Sequence, residues 1–401
     1  MKGIMEQSKS IQEELVKHRR QLHENAEIHT NLPKTRAYVK EQLISMGYEP
    51  IDCGEGGIVA VAGKKEGKVF LIRADMDALP IVEETDEPFK SKTCNMHACG
   101  HDMHTSMLLG AAKLLKENED YLEGKVKLMF QPAEETLYGA KSMIEDGLLE
   151  NPKVDAGMMI HVAVNDDCEI GDVLVSRPDV ISASSDWLRI DIQGKGGHGA
   201  RPSECIDPLT ALSHIHIALQ SIHARELSAS DEAVLTIGQM HGGNTSNIIP
   251  DSAYMEGTIR CFNNDTRNFI KKRIEEMAVD TAKALRAEAK VSFPISCPSV
   301  INDKELFEEF FQYNGEILPE RTLINMAGKV GYANAKTTGS EDFGFVSELI
   351  PTISCNVVVG NAKNGHLYKL HHPKVTFSEE PLYIGAAVYA NTAIEWLKNN
   401  K

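Results

Sequence analysis

The chain has 401 residues, enough for two ordinary hydrophobic cores or for one large domain that carries an insertion. Its 42 Lys and Arg against 58 Asp and Glu leave a formal net charge of −16, which repels phosphate backbones and anionic surfaces and argues against nucleic acid or a membrane as partner. No apolar run reaches the roughly 20 residues of a membrane helix, the segment through Arg20 is charged rather than signal-like, and eight cysteines at this low density read as reduced thiols, so a cytoplasmic protein is expected.

From Ser10 to Met46 apolar side chains recur at helical spacing (Ile11, Leu15, Leu22, then Ala37, Leu43, Ile44), and the break at Asn31 to Pro33 predicts two amphipathic helices. Short β-rich runs at Val69 to Arg73, Val126 to Phe130 and Gly157 to Ile160 then alternate with helical patterns at Ser106 to Lys116 and Gly139 to Asp146, the grammar of an α/β domain. The pattern changes at Ser182 to Ser185. Trp187 to Gln193 alternates faces like a half-buried strand, and a helix over Asp207 to Arg225, strands at Ala233 to Met240 and Ala253 to Phe262, and a helix over Thr266 to Arg286 follow it. After Pro298 the α/β style returns, with a buried strand at Ile353 to Val359 and a terminal helix through Leu397.

The expected architecture is therefore an α/β domain over residues 1–184 and 298–401, with a central mixed sheet flanked by helices. A smaller α+β domain, residues 185–297, is inserted into it on linkers near Ser184 and Cys297 and suits a substrate-binding, lid or dimerisation role.

The densest chemistry lies in Cys94-Asn-Met-His97-Ala-Cys99-Gly-His101-Asp102-Met-His104. A structural zinc site would show paired Cys-x2-Cys spacing, which is absent. Cys99 and His101 are two positions apart, poor geometry for a nucleophile and its base, and a buried histidine-rich turn without metal is the plain alternative. Partners for a metal reading stand where strands end: Asp75-Met-Asp77, Glu134-Glu135 and His161. Adjacent carboxylates after an apolar strand repel one another unless a cation or a proton separates their roles, although a solvated helix N-terminus also favours acids.

Four segments give these residues a family likeness: Arg73-Ala-Asp-Met-Asp-Ala-Leu-Pro80, Met96-His-Ala-Cys-Gly-His-Asp-Met-His-Thr105, Gln131-Pro-Ala-Glu-Glu135 and Gly194-Lys-Gly-Gly-His198. They resemble the M20 metallopeptidase family in its amidohydrolase branch, which includes N-acyl-amino-acid and hippurate hydrolases and the plant enzymes that release indole-3-acetate from amino-acid conjugates. The match continues in order to Gly339-Ser-Glu-Asp-Phe343 and Leu370-His-His-Pro373. The resemblance implies two divalent metal ions, manganese or zinc with cobalt or nickel also admitted by the mixed ligands, held by Cys99, His101, Glu135, His161 and His371 with Cys99 bridging. It implies Glu134 as general base and acid and Asp75 as the acid that orients a ligand. His97 and His104 are expected to pack or to support ligands, and Asp77 to cap a turn.

In the inserted domain, His198, Asn247 and Arg260 are the substrate-binding candidates: a glycine-flanked histidine for the developing oxyanion, and an Asn and an Arg for a substrate carboxylate. Arg260 could equally pair with a surface acid, and His198 could be a turn residue. By analogy with relatives whose corresponding histidine reaches a neighbouring subunit, a homodimer is implied. Two departures stand out: His23-Glu-Asn-Ala-Glu-Ile28 lacks the proline usual in that motif, and Ser203 stands where a His is common. The expected activity is hydrolysis of the amide of an N-acyl amino acid, with dipeptidase or deacetylase activity as the near alternative. A non-catalytic metal- or peptide-binding protein is the alternative from another class.

Overall fold

The computed structural model describes residues 3–319, 321–327 and 336–401. The chain divides into two compact units, one of Met1–Asp179, Ile301–Lys336 and Phe345–Lys401, the other of Val180–Val300 and Thr337–Gly344. The expected insertion, 185–297, lies within the second unit, which is larger at both ends and gains a segment from later in the chain. Backbone pairing explains the difference: Ile181 N donates to Val300 O, Thr337 N to Ile181 O and Ala183 N to Thr337 O. Periodicity in a linear text does not register such long-range bonds.

The larger unit is built on one eight-stranded sheet. Its strands are β1 (Ile51–Cys53), β2 (Gly57–Ala62), β3 (Val69–Asp75), β4 (Lys125–Gln131), β5 (Ala156–Val164), β6 (Val173–Val175), β7 (Leu323–Asn325) and β8 (Thr352–Gly360). The spatial order is β1-β2-β4-β3-β5-β8-β6-β7. β3 and β4 pair in parallel, as do β3 with β5 and β5 with β8, whereas β2 runs against β4 and β6 against β8, so the sheet is mixed. Every residue of β3 is buried, as in a central strand covered on both faces.

The helices Gln12–Glu24, His101–Glu117 and Leu382–Asn399 supply Leu15, Leu22, Met107, Leu108, Ala386 and Tyr389 to the core on this sheet. They approach closely at Gly110, where a Cβ would sit 2.6 Å from Leu15 Cδ2 and 2.9 Å from the Ala386 methyl. Two short strands, β6 and β7, and the helix Lys304–Gly315 were not legible as elements. Three-residue strands are too short to show a period.

The smaller unit is α+β. Its antiparallel sheet takes the order Ala233–Gly242, Ser252–Cys261, Ser185–Gln193, Glu288–Ser292, and the last of these is a strand beyond the three expected. The helices Pro208–Ser221 and Asn264–Ala284 bury Leu212, Ile215, Ile270 and Ile274 against Leu188, Ile190, Met255 and Ile259. Outside that core, Asp186 is fully buried and accepts from Arg267 Nε at 2.6 Å, Arg267 Nη2 at 2.9 Å, Lys271 Nζ at 2.9 Å and Ser296 Oγ at 2.5 Å. Removing one partner of such a cluster strands the other charges out of water. Asp186→Ala is expected to destabilise this unit by about 3 kcal/mol or more, measured by urea denaturation. A loss under about 1 kcal/mol would show that the cations find water instead.

Candidate metal centre

Because β3, β4, β5 and β8 all point the same way, their carboxyl ends share one edge of the sheet, the edge at which open α/β sheets build sites. Asp75 is the last residue of β3, Glu134 and Glu135 lie in the turn after β4, and His371 lies in the loop after β8. Cys99 precedes the helix His101–Glu117 that connects β3 to β4, and His101 opens it. His161, expected at a strand end, sits inside β5, which runs on to Val164.

Local backbone conformation aims these groups. Gly100 adopts φ 88°, and a Cβ there would lie 2.4 Å from Val162 Cγ2, so only glycine fits between the two ligand-type residues. Ala133 and His371 occupy the left-handed region at φ 54° and 66°, an uncommon conformation for residues with a Cβ and one that clusters at functional sites. The His371 N–H donates to Ala98 O at 2.9 Å, which pins its loop beside Cys99. Asp77 accepts from the backbone N–H groups of Glu134 and Glu135 at 3.0 and 3.2 Å, fixing the turn that carries both carboxylates.

The side chains converge. Cys99 Sγ is 3.5 Å from His161 Nε2 and 3.3 Å from His371 Nε2. Glu135 Oε1 is 3.6 Å from His371 Nε2 and 3.8 Å from His101 Nε2. Ligand atoms of Cys99, His101 and His161 lie within 4.8 Å of one another, and so do those of Cys99, Glu135 and His371. Atoms that each bond a tetrahedral ion at about 2.0–2.3 Å stand about 3.3–3.8 Å apart, so these spacings fit ligation. His101 Nε2 and Glu135 Oε1 are buried without a hydrogen-bond partner, a cost that a cation would remove. The donor set therefore fits a pair of ions that share the thiol.

Electrostatics agree. Burial pushes the Cys99 thiol up, and it pushes the Glu135 carboxyl up to about 7, helped by Asp77 and Asp75. Burial disfavours charge on His101, but Asp75 and Cys99 outweigh it and raise the ring well above its ordinary value. Asp75 goes the opposite way: despite burial, Arg73, His101 and His104 hold it well below the usual carboxylate range. Without cations the cluster holds protons on its thiol, on His101 and, below about pH 7, on Glu135.

Glu134 is buried, with Oε2 3.9 Å from His101 Nε2. Asp75 Oδ2 accepts from Arg73 Nη1 at 2.7 Å and lies 3.7 Å from His101 Nε2. His104 has both nitrogens engaged, Nδ1 with Asp75 Oδ1 at 2.6 Å and Nε2 with the Val162 N–H at 2.8 Å, so it has no lone pair left for a metal.

Sequence reasoning assigned no role to Arg73 or to the acid after His101. Asp102 is fully buried and receives Arg19 Nε and His23 Nδ1, each at 2.9 Å, and His23 Nε2 lies 3.2 Å from Glu83 Oε2. The helix Gln12–Glu24 thus anchors the first turn that carries His101. An arginine at position 73, inside an otherwise apolar strand, was the available signal.

The three candidates of the inserted unit do not gather at one point. His198 pairs with Ile248, and the Gly199 N–H donates to Asn247 O at 2.9 Å, which brings His198 and Asn247 together near the Ala253 end of the strand Ser252–Cys261. Arg260 lies toward the other end, opposite Val234, with Nη1 donating to Ser340 Oγ at 2.5 Å. Seven residue-to-residue steps of strand separate Ala253 from Arg260, about 23 Å.

The family model for peptidase family M20/M25/M40 matches residues 71–395. The chain is 38% identical over 386 residues to IAA-amino acid hydrolase ILR1-like 4 of Arabidopsis thaliana, covering 94% of this chain and 84% of that protein. It is 35% identical over 396 residues to N-acetyl-L-cysteine deacetylase of Bacillus subtilis, covering 98% and 90%. Among solved structures it is similar to a dinuclear metal binding peptidase of the M20 family from Bacillus subtilis, with a TM-score of 0.78, 32% identity and coverage of 97% and 99%. The chain belongs to peptidase family M20/M25/M40, within its amidohydrolase branch. It is a metal-dependent amidohydrolase and takes divalent metal ions.

Proposed function

We propose that this protein hydrolyses the amide bond of N-acyl amino acids at a centre of two divalent ions. In this reading Cys99, His101 and His161 hold one ion and Cys99, Glu135 and His371 the other. The observation that carries it is the sharing of one buried thiol between two three-residue groups of ligand atoms. Manganese or zinc is the resident metal, with cobalt or nickel as functional substitutes for a mixed thiolate, imidazole and carboxylate set.

Ions bound there would polarise the scissile carbonyl and make water a better nucleophile at neutral pH. Glu134, left outside both ligand groups, takes the proton of the attacking water and returns it to the leaving nitrogen. The names of the two curated relatives support an acyl group on an amino-acid nitrogen as the substrate class.

Elemental analysis, coupled to an amine-release screen over N-acyl amino acids with each added metal, tests this. Two ions per chain with turnover is the expected result, and no bound metal after reconstitution would overturn it.

The inserted unit is proposed to recognise substrate through His198, Asn247 and Arg260. Their separation within one chain supports a homodimer in which the two ends of the strand come from different copies. The strand Ala233–Gly242 ends the sheet order, and Val234, Met240, Leu209 and Ile217 are exposed on this unit, which also suits a second copy. Arg260→Ala is expected to raise KM for free-acid substrates about tenfold or more and to leave kcat within a few-fold. Equal losses on free-acid and esterified substrates would remove the carboxylate contact. A thiol ligand needs a reducing compartment, which supports the cytoplasm as the site of action.

A further inference from the structure

Given the ligand set proposed above, we infer that His104 is a positioning residue that holds His101 and His161 toward one shared ion and does not act on the Glu135 and His371 pair. The reason lies in how β3 and β5 part company. They pair in parallel from Phe70 opposite Ala156 to Arg73 opposite Met159, and the register stops there. Asp75 and His161 both lie beyond the last paired residue, so no backbone rung fixes their separation.

Two buried side chains take over where the rungs end. The Tyr389 hydroxyl donates to Arg73 O at 2.6 Å and accepts from the Ile160 N–H at 2.8 Å, bridging the strands one step past the register. His104 makes the next bridge, from Asp75 Oδ1 on β3 at 2.6 Å to the Val162 N–H on β5 at 2.8 Å. Accepting at Nε2 places its proton on Nδ1, so a neutral ring donates to the carboxylate.

Each end of this bridge sits against one ligand. Asp75 uses its other oxygen toward Arg73 and stands 3.7 Å from His101 Nε2. Val162 accepts at its carbonyl from His161 Nδ1 at 2.7 Å, which leaves His161 Nε2 as the nitrogen that faces Cys99 Sγ. The His104 ring also packs against the His161 ring with centroids 4.5 Å apart. Among the described residues His104 makes no hydrogen bond or ring contact with Glu135 or His371. Supports of ligand orientation contribute about 10–100-fold to metal affinity, and here the contribution falls on one ion of the two.

The experiment is metal content and affinity, by dialysis against graded chelator and elemental analysis, on wild type and on His104→Asn, His104→Gln and Tyr389→Phe. Asn retains a donor near Nδ1 for Asp75 and loses the Val162 N–H, whereas Gln reaches Val162 and loses Asp75. Each variant is expected to bind one ion with affinity within about threefold of wild type and the other about 10–100-fold more weakly, matching the ion lost in His161→Ala. Equal weakening of both ions, or retention of both at wild-type affinity in a folded variant, would overturn the positioning role. A wild-type chain that binds fewer than two ions would overturn the ligand set itself. The milder Tyr389→Phe change decides the question if neither His104 variant folds.

Discussion

Glu134→Gln is expected to purify with two ions per chain and to turn over about 10²–10⁴-fold more slowly than wild type, or worse. The substitution keeps the shape of the side chain and leaves untouched the backbone bond from Glu134 N to Asp77 that fixes the turn. What it removes is a basic oxygen in the pocket that His101 and Glu135 also line. KM should change little, because a proton acceptor acts on the bond-making step and not on the resting complex. Elemental analysis beside steady-state kinetics reads both quantities from one preparation. Loss of one ion would move Glu134 into the ligand set, and retention of full kcat would transfer the base role to another group.

The second large effect concerns Cys99. Its thiol belongs to both ligand groups, so Cys99→Ala should abolish binding of both ions, whereas His161→Ala and His371→Ala should each weaken one. Burial pushes this thiol up, Asp75 and Cys99 hold His101 well above its ordinary value despite burial, and burial pushes Glu135 up to about 7. Binding ions at both groups must therefore expel the thiol proton and the proton held on His101 and, below about pH 7, the Glu135 proton as well.

Protons compete with metal, so apparent affinity rises with pH. The expected slope exceeds about tenfold per unit below pH 7 and becomes shallower above it. Titration with a competing chelator across that range measures the slope, and a flat profile would exclude both groups as ligands. Oxidation of the same sulfur by peroxide should silence the enzyme.

Much of this side-chain cluster was legible in the sequence because the proposed ligands are unusual residues in unusual places. Five Cys and His residues crowd between Cys94 and His104, and acids follow apolar strands at Asp75 and Glu134. Strand direction then predicts that these acids meet at one edge, and β3, β4, β5 and β8 do run that way.

What escaped the reading depends on distance along the chain. The segment Thr337–Gly344 joins the inserted unit through hydrogen bonds to residues far earlier in the sequence. Glu288–Ser292 becomes a strand because a neighbouring strand is there to receive it, since its own residues carry little β signal. Asn247 and Arg260 both suit a carboxylate by residue type, but register alone shows that a long stretch of strand divides them.

The placement of β8 has a consequence for how the protein is made. This strand is encoded after the inserted unit, yet it lies between β5 and β6 near the middle of the sheet. While the ribosome is still extending the chain, the outer rim of β5 has no neighbour, and the loop that brings His371 does not exist. Cys99, His101, Glu135 and His161 all precede the inserted unit in the chain, whereas His371, the fifth proposed donor, follows β8. The proposed donor set is thus complete only once β8 and the loop after it have been made, and until then the unpaired rim of β5 is an open sheet edge.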